Sequence, residues 1–544
     1  MRSLNATRLE RTRLDAHAAL DKACMFLAAT QEPDGAWRAL PDSRILENAL
    51  LCLVADRFAP GLRSEVGGAR RAVRNAAGQR HHAVPRVLDA WLKAAALSGP
   101  TLATLELGDP AFAEPAFAHR KVLFGAIALA VGSPVVDGPS RAALSAHLCE
   151  TLRKRHTSQL KSWSSAEVAA LYLLIADAGA NQDTEAALWA LRETQCRSGS
   201  FGENPISTAV AVAALARWAP DSLELAKAIA YLRNSRSSDG TWRFSLADVW
   251  DTALLLRGFA ACPYLDPTVR ARAEQFLIAS QNLDGGFPYR EGVESDTDTT
   301  GMSMLALSRT ALGAPARARG EDYLRRMRTD EGVWRTWHYR DDPPAEDAVA
   351  HAVLALRASG ADAGLWEPAR AWLAARVRAD VGWQAHWYSI QAYAAHEIGM
   401  VLGRSHPATR YAARLLLEQQ NLDGGWGPTG NTPSTAAASG MALALLSNYC
   451  AADHPTIERA VSFLIRAQGA NGAWGGATDM YAPRPFAVDY PFQTHALAAM
   501  GILAVASKRV PVEVAFEKRG SDRPNVDFLS VDIAQARAVG RSVG

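Results

Sequence analysis

The sequence lacks the features that mark several large classes of protein. Its six cysteines are scattered without a Cys-x-x-Cys pair, which argues against a zinc site or a disulfide framework and favours a reducing cytoplasm. No uninterrupted apolar run reaches about 18 residues, so no membrane-spanning helix is expected. The N-terminus has no apolar core of a secretory signal. Basic and acidic residues are nearly balanced, 58 against 56, so nothing indicates a nucleic-acid partner.

Alternating β-branched runs are also missing, which predicts an all-α protein. What the sequence does contain is a phrase of the form Gln-x-x-Asp-Gly-x-Trp, repeated with variations. Its aromatic residues are Trp37, Phe201, Trp242, Phe287, Trp334, Trp383, Trp426 and Trp474. From 201 to 474 they recur every 41 to 49 residues, which indicates a repeated unit. Each unit has two apolar helices joined by a Gly-rich turn, so the repeats predict an open solenoid or a closed toroid.

At 544 residues the chain exceeds the usual limit for one hydrophobic core, so two domains are expected. The repeat is clear from about residue 182 and blurred between 54 and 161. After Lys508 the pattern stops in a polar tail.

Two acidic residues lie where a loop is predicted to meet the apolar helix 301–312. Asp296 and Asp298 are two residues apart, and such side chains share a side in extended backbone. Both could then enter one pocket, with Asp298 or Thr299 as the N-cap. Two neighbouring carboxyl groups cannot easily both ionise, so one would keep its proton near neutral pH. The alternative is a capped helix start with solvated acids.

The repeated phrase resembles the QW repeats of the class II terpene cyclases, and Asp296-Thr-Asp298-Thr-Thr300 resembles their Asp-x-Asp-Asp acid motif. The resemblance implies two α/α-barrel (toroid) domains called β and γ. The β domain would comprise 1–37 and 265–507, the γ domain 38–264, and the tail 508–544.

The family's chemistry begins with protonation of an alkene in a site without water, and the resemblance assigns the general acid to Asp298. Asp296 would orient it or form a hydrogen bond with it. Thr299 stands where the family has a further Asp. This variant is similar to that of bacterial cyclases which convert farnesyl diphosphate to drimenyl diphosphate.

A second motif concerns the diphosphate. Asp42 and Glu47 match the Asp-x-x-x-x-Glu magnesium motif of bacterial class II diterpene cyclases, which implies Mg²⁺ as cofactor and an isoprenyl diphosphate as ligand. Magnesium takes one or two carboxylates together with phosphate oxygens. Lys161 is the candidate anion partner, whereas the basic run 153–156 reads as a solvated face.

Aromatic side chains are expected around a carbocation because their π faces stabilise it without capturing it. The candidates are Trp337, Tyr339, Trp387, Tyr388, Tyr490 and Phe492. Ordinary core packing is the alternative for each. Four histidines are open candidates for the terminating base: His338, His386, His396 and His495.

The segment 341–347 superficially resembles the Asp-Asp-x-x-Asp metal motif of class I synthases, which ionise the diphosphate. Pro343 and Pro344 prevent its acids from sharing a helix face, so the segment reads as a helix start and the diphosphate is predicted to be retained.

The sequence therefore favours a cyclase that makes drimenyl diphosphate. A copalyl-type product from geranylgeranyl diphosphate is the alternative. A triterpene cyclase is less favoured, because its substrate carries no diphosphate for Asp42 and Glu47 to bind through a metal ion. A non-catalytic toroid that binds a hydrophobic ligand would expose Asp296 and Asp298 to solvent. A protein prenyltransferase β subunit would need a zinc set of Asp, Cys and His that the dispersed cysteines do not supply. The oligomeric state stays open.

Overall fold

The computed structural model describes residues 2–77, 83–113, 115–177, 179–340 and 342–507. The predicted tail, 508–544, lies outside them. The N-terminal helices are α1 Arg2–Thr30, α2 Ile45–Arg57, α3 Gly67–Asn75, α4 Ala83–Ser98, α5 Pro115–Val131, α6 Arg141–Lys154, α7 Ser162–Ile175, α8 Gln182–Thr194, α9 Pro205–Trp218 and α10 Leu223–Asn234. The remaining helices are α11 Asp248–Gly258, α12 Pro267–Ala279, α13 Thr297–Ala306, α14 Ala314–Met327, α15 Glu346–Ala358, α16 Ala363–Ala375, α17 Gln391–Leu402, α18 Pro407–Glu418, α19 Ala436–Leu446, α20 Pro455–Ala467 and α21 Pro491–Ala506.

The strands in the described residues are very short. β1 (Leu105–Glu106) pairs in parallel with β2 (Val135–Val136), and β3 (Met480–Tyr481) pairs antiparallel with β4 (Ala487–Val488). The prediction of an all-α fold is therefore confirmed.

The C-terminal body is a closed ring of two helix layers. Its inner helices α11, α13, α15, α17, α19 and α21 pack each on the next, and α21 packs back on α11. The outer helices α12, α14, α16, α18 and α20 each cover an inner one. The first helix of the chain, α1, packs on α20 and α21 and completes the outer layer. The repeats thus form a toroid rather than an open solenoid.

The repeated phrase holds each turn together by the same contacts. In six repeats the indole N–H of the tryptophan donates to the carbonyl ten residues earlier, as from Trp426 to Leu416 at 2.7 Å. The aromatic residue therefore fixes the end of the preceding helix. The glutamine amide bridges two carbonyls, and Gln468 reaches Gly472 and Ala19, both at 2.9 Å, which ties the last repeat to α1.

The glycine of this last turn has no space for a side chain. Gly472 has φ +86°, and a Cβ there would lie 2.2 Å from the carbonyl oxygen of Lys22 in α1. Only glycine permits so close an approach of the two backbones.

The N-terminal body has its own helix layers and its own core. Here α2 packs on α4 and α9, α9 on α7, and α7 on α5. One hydrophobic core contains the buried apolar residues from Ile45 to Trp242 together with Phe486. The other core contains those from Ala16 to Trp37 and from Ala247 onward.

These cores correct the predicted domain boundary. Because α11 belongs to the inner ring of the C-terminal body, the division lies between Trp242 and Ala247 rather than at 264/265. The repeat phrase that ends at Trp242 stands directly before α11, but only the packing of this helix on α13 and α21 assigns it to the ring. Among the described helices, none is both long and apolar enough to cross a membrane.

Candidate active site

The acid motif lies at the N-terminal end of α13, inside the ring. Helix α13 begins at Thr297, so Asp296 is the N-cap and Asp298 belongs to the first turn. The carboxylate of Asp296 accepts hydrogen bonds from the Thr299 backbone N–H at 2.7 Å and from its hydroxyl at 2.8 Å. The expectation that Asp298 or Thr299 caps the helix is therefore wrong, because the helix starts one residue before Asp298.

Asp298 is held by a histidine rather than by Asp296. Its Oδ1 lies 2.6 Å from Nδ1 of His351, on the neighbouring inner helix α15. Both residues are buried, with His351 fully enclosed. The predicted hydrogen bond between the two aspartates is replaced by this contact, because the side chain of Asp296 is committed to Thr299 and the helix start.

Burial changes the acidity of the groups around Asp298. Desolvation raises the pKa of Asp296 to about 8, aided by the charge of Asp298 and opposed by the hydrogen bonds from Thr299. Desolvation and the same charge raise the pKa of Asp347 to about 6. Burial opposes the charge of His351, but Asp298 and Glu397 outweigh it and raise the pKa of His351 to about 9.

An ordered aromatic network lies beside this acid. The indole N–H of Trp250 donates to the hydroxyl of Tyr388 at 3.0 Å, and that hydroxyl donates to Gln493 at 2.8 Å. The amide of Gln493 donates in turn to Asp251 at 2.8 Å. The ring of Trp250 also lies 6.0 Å from that of His351. These hydrogen bonds hold Tyr388 in one orientation, and its role in the pocket stays a prediction.

The other predicted aromatic residues have different surroundings. The backbone N–H of Trp387 donates to Asp347 at 2.8 Å, which places it near the acid. Tyr490 is buried, and its hydroxyl donates to the carbonyl of Ser245 at 2.9 Å. Phe492 packs on Phe26 of α1, with ring centroids 6.0 Å apart, which is core packing.

Trp337 and Tyr339 lie on the loop between α14 and α15, at the contact between the two bodies. The ring of Trp337 meets Trp163 and Tyr289 edge-on, and its buried indole N–H has no hydrogen-bond partner among the described residues. Tyr339 is half-buried, and its carbonyl accepts from the backbone of Asp342.

A cluster of basic side chains lies at the same contact between the bodies. The ammonium group of Lys161 is 5.1 Å from the ring centroids of both Trp163 and Trp337, and it pairs with Asp342 at 3.1 Å. Arg120 donates to the carbonyl of Arg484. The guanidinium group of Arg484 lies 2.7 Å from Nδ1 of His386.

These basic groups oppose one another's charge. Burial and then the nearby Arg484 lower the pKa of Arg120 to about 10. Burial, Arg484 and Lys161 hold the pKa of His386 well below its ordinary value. Burial also lowers the pKa of Lys161, against the attraction of Asp342. Such a cluster would gain stability from a multiply charged anion.

Two family models match the chain: the squalene-hopene cyclase C-terminal domain over residues 340–507, and the prenyltransferase alpha-alpha toroid domain over 151–359. Over 523 residues the chain is 28% identical to the drimenyl diphosphate synthase of Streptantibioticus cattleyicolor, covering 89% of this chain and 93% of that protein. The chain belongs to the class II terpene cyclases.

Other members of the family bear on its fold and its substrate. The ent-copalyl diphosphate synthase structure from Streptomyces platensis has a TM-score of 0.55 and 20% identity, covers 93% of this cyclase and 99% of that chain, and supports the fold. A copalyl diphosphate synthase of Streptomyces cyslabdanicus is 30% identical over 191 residues, 33% of each protein. The relatives thus leave the chain length of this cyclase's substrate unsettled.

The predicted magnesium motif does not present two free carboxylates in this cyclase. Glu47 is fully buried in the first turn of α2, and both its oxygens accept hydrogen bonds from Arg44. Asp42 is exposed, and its backbone N–H donates to the carbonyl of Asp489. In the described residues no group of three or more His, Cys, Asp or Glu side chains could hold a metal ion. The residues therefore do not fit the ion in this arrangement, and magnesium stays a prediction.

The four histidines considered as terminating bases are all engaged. His338 lies 2.6 Å from the hydroxyl of Tyr323, and His386 and His396 contact Arg484 and Glu397. His495 stacks on Phe259 in the core, where burial lowers its pKa to about 3. None of these contacts assigns the base.

The sequence interpretation missed His351, the residue that contacts the acid. A signal was present: Asp347 and His351 are one helical turn apart in an apolar helix and therefore share a face. Glu397 was also missed, although a charged residue within the apolar helix α17 was a comparable signal. The predicted helix start after Pro343 and Pro344 is confirmed, since α15 begins at Glu346. Asp341 itself lies outside the described residues.

Proposed function

We propose that this class II cyclase converts farnesyl diphosphate to drimenyl diphosphate by proton-initiated cyclisation, with the diphosphate retained. The observation that carries the proposal is the buried contact between Asp298 and His351 in the first turn of an inner helix. The fifteen-carbon substrate is supported by Thr299 and by the drimenyl diphosphate synthase that matches along most of the chain.

In this proposal His351 stabilises the carboxylate that Asp298 becomes when it gives up its proton. When the imidazolium donates Nδ1–H to Oδ1, the acidic proton of Asp298 resides on Oδ2 and can pass to the alkene. The carboxylate left behind is then paired with a cation 2.6 Å away. Because the pair is enclosed, the attraction is stronger than in water. A role limited to ligand binding predicted solvent-exposed acids, whereas Asp296 and Asp298 are only 2% and 4% exposed.

The aromatic network would stabilise the cation that follows. The hydroxyl of Tyr388 is fixed by Trp250 and Gln493, so it is held in place by hydrogen bonds on both sides. A π face near a desolvated cation contributes roughly 2 kcal/mol. Trp250 therefore joins Tyr388 as a candidate for the cavity wall.

The basic cluster between the two bodies is the candidate diphosphate site. It contains Lys161 and Arg120 from the N-terminal body and Arg484 from the C-terminal body. The unpartnered indole N–H of Trp337, beside Lys161, offers a further donor. Four groups drawn from both bodies could hold the diphosphate while the hydrocarbon extends toward Asp298.

The alternative substrate is geranylgeranyl diphosphate, giving a copalyl-type diphosphate. The copalyl diphosphate synthase relative favours it, although that similarity covers only a third of the chain. The acid and the diphosphate site would have the same roles, so only the cavity length distinguishes the two reactions.

Incubation of the full chain with each diphosphate, followed by product analysis with and without phosphatase, tests the proposal. We expect a bicyclic fifteen-carbon alcohol from farnesyl diphosphate, seen only after phosphatase treatment. The variant Asp298→Asn should be inactive, and Asp330→Asn, on an exposed turn, should retain activity. A hydrocarbon or alcohol released without phosphatase would contradict retention of the diphosphate, and preferred turnover of geranylgeranyl diphosphate would establish the alternative.

A further inference from the structure

A chain of buried charged groups continues from the acid toward the opposite end of the ring. His351 presents Nε2 to Oε2 of Glu397 at 3.4 Å and to the hydroxyl of Tyr393 at 3.3 Å. Glu397 is fully buried in α17, and its Oε2 lies 2.6 Å from the guanidinium group of Arg257 in α11. This series of groups lies on four consecutive inner helices, and the sign of the charge alternates from Asp298 through His351 and Glu397 to Arg257.

The chain follows the helix axes away from the substrate side. Asp298 is the second residue of its helix, whereas Arg257 is the tenth of the eleven in α11. At 1.5 Å per residue this separation is on the order of 10 Å along the ring axis. Arg257 there lines a cleft of about 430 Å³ with Leu305, Arg357 and Met400. These residues lie near the C-terminal ends of their helices, so the cleft is at the far end of the ring from the acid motif.

Glu397 determines which protons His351 carries. Burial opposes ionisation of Glu397, but Arg257 and the histidines beside it hold its pKa well below the ordinary value. An ionised Glu397 only accepts hydrogen bonds, so Nε2 of His351 must keep its proton. Nδ1 then faces Asp298 with the ring orientation fixed, and a proton on both nitrogens gives the cation that the acid requires.

We propose that Glu397, held by Arg257, is a positioning residue that keeps His351 protonated and oriented toward Asp298. This inference rests on the proposed protonation chemistry. It places the supporting charge behind the acid, at the end of the ring where Arg257 lines the far cleft.

The other groups around His351 do not replace Glu397. Asp347, on its own helix, has its carboxylate engaged by the backbones of Trp387 and Ala348. Tyr393 is a neutral phenol, and burial holds its pKa well above the ordinary value. His396 faces Glu397 at 3.2 Å and not His351. Glu397 is therefore the single carboxylate in contact with Nε2 among the described residues.

The test combines Glu397→Gln with a matched control. Glu346→Gln also neutralises a buried carboxylate paired with arginines, at 3.0 Å from Arg376 and from Arg378, but it does not contact His351. Histidine labelled with ¹³C at Cε1, with His351 identified by His351→Asn, reports the imidazole pKa without any substrate. A neutral amide removes one of two flanking charges, so we expect the pKa of His351 to fall by about 2 units in Glu397→Gln and to stay unchanged in Glu346→Gln.

Activity supplies the second readout. We expect the basic limb of the pH profile of kcat to move down by the same amount, with kcat lowered about tenfold at pH 8 and KM unchanged. If Glu397→Gln leaves Arg257 unpaired and does not fold, the double variant with Arg257→Gln removes both charges and carries the same expectation. An unchanged His351 titration in a folded variant would overturn the inference. Absence of turnover of either diphosphate by the wild type would instead contradict the proposed function, because the titration does not depend on the substrate.

Discussion

Replacement of His351 by asparagine tests the acid directly. Asparagine retains a neutral N–H donor but cannot carry charge, so the variant removes the cation beside Asp298 and keeps most of the volume. The pKa of His351 is raised from 6.5 to about 9 although burial opposes its charge. A difference of roughly 2.5 units means that the attraction of the flanking carboxylates exceeds the cost of burial by about 3 kcal/mol.

Much of that interaction appears only as Asp298 gives up its proton, since a neutral carboxyl group attracts the imidazolium less than a carboxylate does. Loss of 2 to 3 kcal/mol from the transition state predicts a decrease in kcat of about 30- to 150-fold at pH 7. The assay is steady-state turnover of farnesyl diphosphate, quantified after phosphatase treatment. A folded His351→Asn variant within threefold of the wild-type kcat would refute the reasoning.

The raised pKa of His351 also predicts how the free energy of unfolding depends on pH. Because the folded-state pKa of His351 lies above the unfolded value, its contribution is fully present below pH 6.5 and is lost as pH rises through about 9. The free energy of unfolding of the wild type should therefore fall by about 3 kcal/mol over this window relative to His351→Asn. His495→Asn is the matched control, since burial lowers the pKa of His495 to about 3 and leaves it neutral throughout. Urea unfolding of all three proteins at pH 6, 7.5 and 9.5 gives the free energy of unfolding at each pH. The same pH dependence of this free energy in all three proteins would contradict the prediction.

Three further predictions concern the diphosphate, the second motif and the ring. Lys161→Ala should raise KM for the diphosphate at least tenfold with little change in kcat, while Lys154→Ala, on an exposed face, should match the wild type; equal KM values would remove Lys161 from the site. Glu47→Ala leaves the buried guanidinium group of Arg44 without its carboxylate, so the free energy of unfolding should fall by about 3 kcal/mol relative to the wild type. The decrease should be the same in EDTA and in Mg²⁺, and a decrease seen only in Mg²⁺ would favour a metal role for Glu47. Gln468→Ala removes two hydrogen bonds at the ring closure and should cost about 1 to 3 kcal/mol in urea unfolding, as should Gln420→Ala within the ring; a neutral effect of both would contradict the bridging role.

The toroid was predictable because its defining contacts are local and repeated. A tryptophan that reaches ten residues back, and a glutamine that binds its own turn, leave a periodic trace in the sequence. The domain boundary was not predictable in this way, because the assignment of α11 to the C-terminal body depends on packing against α13 and α21. Such contacts join residues that are far apart in the sequence, so they leave no local pattern.

The same distinction applies to the active site. The two aspartates are recognisable from their spacing, but the partner of Asp298 lies 53 residues away and Glu397 follows on yet another helix. Their roles depend on three inner helices being adjacent. Lys161 was identified because it is close to Trp163 in the sequence. Arg120 and Arg484 come from distant segments, which meet only at the contact between the two bodies.

The proposed chemistry needs a strong acid in a site without water, and the position of the charges is compatible with both requirements. A carbocation is captured by any nearby nucleophile, so the groups that strengthen the acid cannot face the substrate. In this ring His351 and Glu397 lie behind Asp298 along the helix axes, and the carboxylate of Glu397 is paired with Arg257. The substrate side then presents Asp298 beside aromatic rings whose polar atoms are hydrogen-bonded to one another. Thr299 is consistent with this arrangement, because its hydroxyl satisfies Asp296 without adding a further carboxylate next to the cation.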